Sequence, residues 1–443
     1  MKNACAIPCD PSELKETLLP FTADVQTLAK PLAIGKRTAP NRIVYQAMEG
    51  CDGLLGGEPG ELTCRRYDRF AEGGPGIIWV EATAVMPEGR ANPRQLYLTP
   101  ETADSFARLA DSIREKSMKK YGYAPLLMLQ LTHSGRYSKP QGTPAPLIAY
   151  NNPLFEKDAP ISSDRIVSDD YLRTLTEKLI EGARMAEKAG FDGADIKCCH
   201  RYLLCELLSA YERSGDYGGS YENRTRLLRE AVSGAVKACS SDFIVTSRLN
   251  VYDGFPRPYG FGMAQEGLKP DYTEPIRLAR DLADNGLSLL DITMGNPYVN
   301  PHVNRPFVKG AYVADEAPSD GVVRMLTGTR EITRSLEGRM PVICSGITFL
   351  GALAPQVTAA CIEDGWFDMA GWGRQTLAYP DLAADILQNG KLESEKLCLA
   401  CSKCTEVMRA GSTPGCVIRD AEVYLPLYRE HVLKNLVDKG EQK

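Results

Sequence analysis

From residue 31 onward the chain repeats one pattern: a short apolar run, a polar loop, then a stretch with apolar positions every three or four residues. The apolar runs fall at 42–46, 76–82, 125–131, 193–197, 243–249, 288–293, 341–345 and 367–371. Most are nearly continuous, the pattern of parallel strands buried on both faces. Helices are predicted over 61–72, 101–119, 169–188, 221–238, 272–285, 322–336, 349–363 and, after the last strand, 381–388. Ser168 or Asp169 can cap the third, Gly190 follows its end, and Gly286 follows the fifth. Eight alternating units predict an α/β chain closed into a (β/α)8 barrel rather than an open sheet.

The pattern sets the domain organisation. Residues 1–30 read as an N-terminal extension with a short helix near 12–18, and no function is assigned to them. Residues 31–393 form the barrel, and 394–443 a small C-terminal segment that does not fit a ninth unit, ending in one helix over 421–443. The insert 138–167 carries five prolines and no helical period, so it is expected to be a lid or a substrate-side excursion.

Composition narrows the class. With 443 residues, 43% hydrophobic and 25% charged, the chain can bury a large core. A net charge of −5 argues against a nucleic-acid surface. No stretch approaches the ~20 apolar residues of a membrane span. The start, MKNACAIPCD, lacks the apolar run of a signal peptide, so a cytoplasmic protein without disulfides is expected. Of the 14 cysteines, Cys51, Cys64, Cys239, Cys344 and Cys361 occur singly and are expected to act as small buried hydrophobes.

Two stretches carry chemistry. After the fourth strand come Lys197, Cys198, Cys199, His200, Arg201 and Tyr202, followed by a glycine-rich loop and a new helix. A core strand running into a surface loop is the plain alternative, but such strand ends rarely gather four side chains of this polarity. Working residues at the carboxyl end of a strand are the arrangement of a barrel enzyme. The second stretch is Cys398, Cys401, Cys404 and Cys416, spaced C-x2-C-x2-C-x11-C. Four thiolates suit a [4Fe–4S] cluster; zinc and unligated thiols are the alternatives. The tandem spacing favours iron–sulfur, because zinc sites more often use two separate pairs.

Several segments together resemble the old yellow enzyme family of FMN-dependent barrels, over roughly residues 31–420: PLAIGKRTAPNRIVYQAM, GGPGIIWVEATAV, LQLTHSGR, FDGADIKCCHRYLL with GDYGGSYENRTR, VTSRLN, SGI, GWGR and the cysteine quartet. The branch that looks nearest is that of 2,4-dienoyl-CoA reductase and trimethylamine dehydrogenase, which carry an iron–sulfur cluster after the barrel. The resemblance implies that Gln46, Ala47 and Met48 lie against the flavin ring, with Ala82 beside it. Gln130 would bond the pyrimidine edge, and Arg248 would stand near N1. Ser345, Gly346, Gly373 and Arg374 would hold the phosphate, glycine backbone approaching the anion and arginine adding charge.

This sequence departs from the family on the substrate side. Where the family often has His-x-x-His or His-x-x-Asn and a tyrosine two residues later, the residues here are Lys197, His200 and Tyr202. Arg201 replaces a usually small residue. Lys197 and Arg201 suggest an electron-poor or anionic substrate, unless they simply pair with Asp195 or Glu206. Asn296 stands where trimethylamine dehydrogenase has an acid, which weakens an amine substrate. The resemblance implies reduction of an activated alkene, a small molecule, with His200 and Lys197 on the activating carbonyl and Tyr202 as proton donor. An amine or C–N dehydrogenase and an electron-transfer subunit with an occluded pocket are the alternatives. No G-x-G-x-x-G opens a helix after a strand in the tail. Electrons are therefore expected from NAD(P)H at the barrel or, preferably, from a separate reductase or ferredoxin. The sequence leaves the oligomeric state open.

Overall fold

The computed structural model describes residues 19–434 apart from Asp158 and Ala311. The helix expected near 12–18 and the far end of the one over 421–443 lie outside the described residues. A hairpin, β1 (Leu32–Ile34) and β2 (Arg37–Ala39), precedes eight parallel strands: β3 (Ile43–Tyr45), β4 (Ile77–Ala84), β5 (Leu126–Thr132), β6 (Gly193–Ile196), β7 (Ile244–Asn250), β8 (Leu289–Thr293), β9 (Val342–Cys344) and β10 (Met369–Trp372). They close in the order β10-β3-β4-β5-β6-β7-β8-β9. The expected (β/α)8 barrel is the fold, and every predicted strand overlaps an observed one.

Alternation along the strands builds the barrel interior in layers. Val44, Ile77, Trp79, Leu126, Met128, Ile244, Leu289, Ile343 and Met369 pack as one apolar plug, closed by Ile34 and Ala39 of the hairpin. Two residues further along several strands the inward positions turn polar: Gln46, Gln130, Asp195, Arg248 and Asp291, all nearly inaccessible to solvent. Position 371 must be glycine for this layer to form. A Cβ there would stand 2.2 Å from Gln46 Nε2. In β4 a register shift between Val80 and Thr83 breaks the alternation. Such a bulge re-aims side chains. Here it leaves Ala82 facing the cleft described below, while Glu81 pairs with Arg66 at 2.6 Å and accepts from Tyr67 Oη at 3.2 Å.

The helices Asp169–Lys188 and Tyr221–Ala238 run over their predicted spans. Ser168 Oγ caps the first by accepting from the Tyr171 amide at 3.1 Å, and Ser220 Oγ caps the second. Three departures have local causes. The helix predicted over 349–363 is a 3-10 stretch, Ile347–Leu353, followed by an α-helix, Ala354–Glu363, because Gly351 breaks the helical dihedrals. The helix Leu203–Leu208 is buried on every side and therefore shows no amphipathic period. Among its described residues the insert 138–167 contains one short α-helix, Pro153–Glu156, capped by Asn152, and a 3-10 turn, Ser163–Arg165. Among the described residues of the last predicted helix, Ala421–Tyr428 is α-helical and carries Pro426, and a wider π turn follows over Arg429–Leu433.

The C-terminal segment is fastened to the barrel. Asp420 accepts from Arg65 at 2.8 and 2.9 Å and from Arg69 at 2.5 Å, both on the helix Glu61–Ala71. The Cys398 amide donates to Gln375 Oε1 at 3.1 Å. Val407, Val417, Tyr424 and Tyr428 form a small apolar core of its own.

Arg201 is a correction. It offers no cation to a substrate and pairs with neither Asp195 nor Glu206. It is wholly buried, 3.1 Å from Asp253 Oδ2 and 2.5 Å from Ser209 Oγ. Asp253 also accepts from the Phe261 amide at 2.9 Å and Asn250 Nδ2 at 2.6 Å, so the pair ties three loops together. Removing one partner of a fully buried ion pair typically costs about 3–5 kcal/mol. Asp253→Ala is expected to lower the stability of the first unfolding transition in urea by about that amount, and an unchanged midpoint would refute this role.

Candidate active site

A cleft lies across the carboxyl ends of the strands. Every residue expected to hold a flavin lines it, and so do Lys197, His200 and Tyr202. The cleft has three regions of distinct chemistry.

One end is cationic. Ser345, Gly346, Gly373 and Arg374 meet there with Asn304 and Arg305. Gly346 has φ +78°, a left-handed conformation that costs glycine little and turns its backbone in a way other residues resist. Arg374 gives Nη2 to the Pro306 carbonyl at 3.0 Å, while its buried Nη1 has no partner. Burial, and then Arg374 beside it, hold the Arg305 guanidinium down at about 9. Among the described residues no carboxylate lines this end. Two guanidinium groups, Arg374 buried and Arg305 half-buried, sharing a pocket end without an acid among the described residues form a site that an anion would complete.

The floor is the polar layer of the barrel. Gln130 Nε2 donates to Asp195 Oδ2 at 2.6 Å, and the same carboxylate accepts from Trp79 Nε1 at 3.0 Å and the Arg248 amide at 2.7 Å. This fixes the Gln130 amide so that its oxygen is the atom left for the cleft. Gln46 gives Nε2 to Asp291 Oδ1 at 3.1 Å, leaving its buried Oε1 unpaired. Arg248 Nε stands 3.2 Å from Asp291 Oδ2. Burial pushes the Asp291 carboxyl up to about 7 against the pull of Arg248. The floor thus presents two amide oxygens, which accept, and one guanidinium, which donates, a set suited to a heteroaromatic ring that carries both an N–H donor and acceptors.

The third region gathers Lys197, His200 and Tyr202 with Glu49 and Tyr298. His200 and Arg201 have φ of +64° and +61°. Two successive non-glycine residues in the left-handed region are strained, and such strain clusters at functional sites. His200 is half-buried with a buried, unpartnered Nε2, and desolvation together with Arg248 and Lys197 holds it neutral, well below the ordinary histidine range. Lys197 Nζ lies 3.7 Å from the Tyr202 ring centroid, its pKa lowered by burial. Tyr202 Oη is 2.9 Å from Tyr298 Oη and donates to Glu49 Oε2 at 3.3 Å. Tyr298 stacks on Tyr137 at 3.9 Å, and Asn296 Nδ2 donates to Tyr137 Oη at 2.6 Å. Asn296 therefore positions this aromatic wall.

Sequence reasoning missed Glu49, Tyr298 and Arg305. Glu49 directly follows the 46–48 stretch, a signal that was available. Arg305 and Tyr298 lie on the connection after β8, where no periodicity marks them.

The four cysteines of the C-terminal segment line a second cavity of about 400 Å³. Arg374, Leu377 and Cys404 belong to both cavities. The helix Lys403–Arg409 carries Cys404 and also gives Thr405 and Met408 to the larger cleft. Burial pushes the Cys398 thiol up to about 12. Among the described residues, no group of three His, Cys, Asp or Glu side chains is placed to hold a metal ion. Of the five single cysteines only Cys344 and Cys361 are buried; Cys51, Cys64 and Cys239 are partly exposed, which corrects the expectation for those three.

A closed barrel with such a cleft at its carboxyl face defines a flavin-dependent barrel oxidoreductase. The chain belongs to the NADH:flavin oxidoreductase / NADH oxidase family, which matches residues 27–265, and thus to the old yellow enzymes that use FMN. It is 32% identical over 280 residues to an NADPH dehydrogenase of Bacillus pumilus, covering 60% of this chain and 73% of that one. It is 26% identical over 433 residues to a 4,4'-dithiodibutanoate disulfide reductase of Rhodococcus erythropolis, covering 91% of this chain and 97% of that one. Among solved structures, the complex of 2-naphthoyl-CoA reductase with 2-naphthoyl-CoA shares the fold with a TM-score of 0.72 at 20% identity, over 89% of this chain. The alignment spans 57% of that structure's chain.

Hydrogen bonds to charged groups are worth about 1.5–3 kcal/mol. Arg305→Gln is therefore expected to weaken FMN binding roughly tenfold or more, read by quenching of flavin fluorescence on titration. Unchanged affinity would remove Arg305 from the phosphate end.

Proposed function

We propose that the protein is an FMN-dependent ene-reductase acting on an alkene conjugated to a carbonyl or carboxyl group. The observation that carries this reading is the convergence of Lys197, His200 and Tyr202 on the cleft that holds the expected flavin residues. Reduced FMN, when bound there, supplies hydride. Its phosphate would lie against Arg305, Arg374, Gly346 and Gly373, and its ring over Gln46, Gln130 and Arg248.

The chain's own residues do the rest. Neutral His200 donates an N–H, and Lys197 brings a cation, to the carbonyl oxygen on which negative charge develops. Tyr202 delivers a proton to the α-carbon as general acid. Its hydroxyl joins Tyr298 and Glu49, and both of these also line a second, outer chamber, so the donor has a route to water.

The competing readings fit less well. Tyrosine faces beside Glu49 suit an amine cation, but Lys197 already places a cation on Tyr202. An electron-transfer subunit would occlude the cleft, whereas residues lining it also border that outer chamber. Reduction of a small organic disulfide is a second reading, favoured by the near full-length match to the Rhodococcus erythropolis enzyme. Rates with 4,4'-dithiodibutanoate against a panel of enones and acrylates separate the two.

We further propose a [4Fe–4S] cluster on Cys398, Cys401, Cys404 and Cys416, supplying single electrons. Four thiols lining one cavity that shares Cys404 and Arg374 with the larger cleft support it. NADPH at the barrel, or a separate reductase or ferredoxin, would be the source of reducing equivalents. Anaerobically purified protein is expected to show flavin and iron–sulfur absorbance with about four irons per chain; iron-free protein would overturn the cluster.

General acids typically contribute about 10²–10⁴-fold. Tyr202→Phe is expected to slow alkene reduction by about that factor while flavin reduction by the electron donor stays near normal in stopped flow. Equal loss in both half-reactions would remove Tyr202 from the proton-donor role.

A further inference from the structure

Outside the cleft lies a chamber of about 570 Å³ that shares Glu49, Tyr298 and Met408 with it. Ligand sites for drug-sized molecules commonly occupy about 300–1,000 Å³. A small enone would leave most of this space empty. The chamber is lined by three cations from three separate parts of the chain: Arg94, Lys139 and Arg409. None of them forms an ion pair among the described residues. Glu49, at the throat, is the one acid lining it among the described residues. Asp52 acts on Arg94 electrostatically, but both its oxygens are already taken by Arg66, at 2.7 and 2.9 Å.

The walls that carry these cations are built. Arg94 Nε donates to the Gly53 carbonyl at 3.3 Å, and Arg409 Nη2 to the Pro297 carbonyl at 3.1 Å. Each thus spends one N–H on backbone and keeps its remaining donors. Behind Arg94, the guanidinium of Arg90 binds the carbonyls of Leu55, Pro93 and Gln95 at 2.6–2.9 Å. The Lys139 amide donates to the Arg90 carbonyl at 2.8 Å, so the two loops are joined. Arg94, Lys139 and Arg409 are exposed, and cations from three parts of the chain gathered around one cavity form an attractive field for anions.

We propose that this chamber is a subsite for an anionic group, phosphate or carboxylate, carried by the substrate at a distance from its double bond. Arg94, Lys139 and Arg409 hold that group while the alkene passes Glu49 and Tyr298 into the cleft. This rests on the reading of the cleft as the site of reduction, but the subsite is tested by binding alone. FMN-loaded protein, in which the phosphate end of the cleft is filled, is titrated calorimetrically at low salt with inorganic pyrophosphate, with glutarate and with neutral propanediol. Saturable binding of an anion, with propanediol silent, is expected. It should weaken tenfold or more in R94Q/K139Q/R409Q and measurably in R94Q/K139Q, which leaves the cysteine-bearing helix untouched. Tighter pyrophosphate binding assigns a phosphate-bearing substrate, and tighter glutarate binding a carboxylate. Absence of binding by both anions, or affinity unchanged in the variants at unaltered FMN content and melting temperature, overturns the proposal. A protein that binds these anions yet reduces no alkene would sink the ene-reductase reading and leave the subsite standing.

Discussion

Arg248 lies inside a barrel between the two carboxylates that fix the floor of the active site. Asp195 takes its amide along with Gln130 and Trp79, and Asp291 faces its guanidinium and takes Gln46. Buried charges are tolerable only when paired and hydrogen-bonded. The arrangement therefore specifies which amide atoms remain free. Gln46 and Gln130 keep their oxygens for the cleft because their nitrogens are committed below. A redox ring placed on this floor would meet a preorganised pattern of dipoles rather than side chains that must rearrange.

The layers beneath and around this network make it possible. An apolar plug closed by the hairpin seals the lower half of the barrel, so the polar layer can open only toward the carboxyl face. The bulge in β4 sends Glu81 outward to Arg66, which keeps a further acid out of the cleft. At the other end of the same cleft, Arg305 and Arg374 share space with no acid among the described residues. Charge is thus sorted along the cavity: paired in the floor, cationic at one end, and mixed at the substrate side, where Glu49 faces Lys197 and Tyr202.

The C-terminal segment completes the cavity. Its helix Lys403–Arg409 is one wall of the cleft, and Asp420 clamps it to the barrel through Arg65 and Arg69. The cysteine cavity and the flavin cleft consequently share Cys404, Arg374 and Leu377. That adjacency would give a short path between the proposed cluster and a bound flavin, and it gives Arg409 its place at the rim of the outer chamber.

Periodicity alone determined the barrel. Eight buried apolar runs separated by amphipathic helices admit few other architectures, and the residues expected at a flavin, from Gln46 to Arg374, line one cleft because they sit at strand ends whose position the alternation sets. What sequence could not decide was the partner of each charge. Arg201 and Lys197 are four residues apart and look alike in the chain, yet a pair of left-handed residues turns Arg201 inward to Asp253 and leaves Lys197 over Tyr202. Arg305, Tyr298 and Arg409 come from segments without a repeating pattern, and only the closing of loops from distant positions brings them to one cavity. Local pattern fixes which face a residue takes; long-range packing fixes which charge it meets.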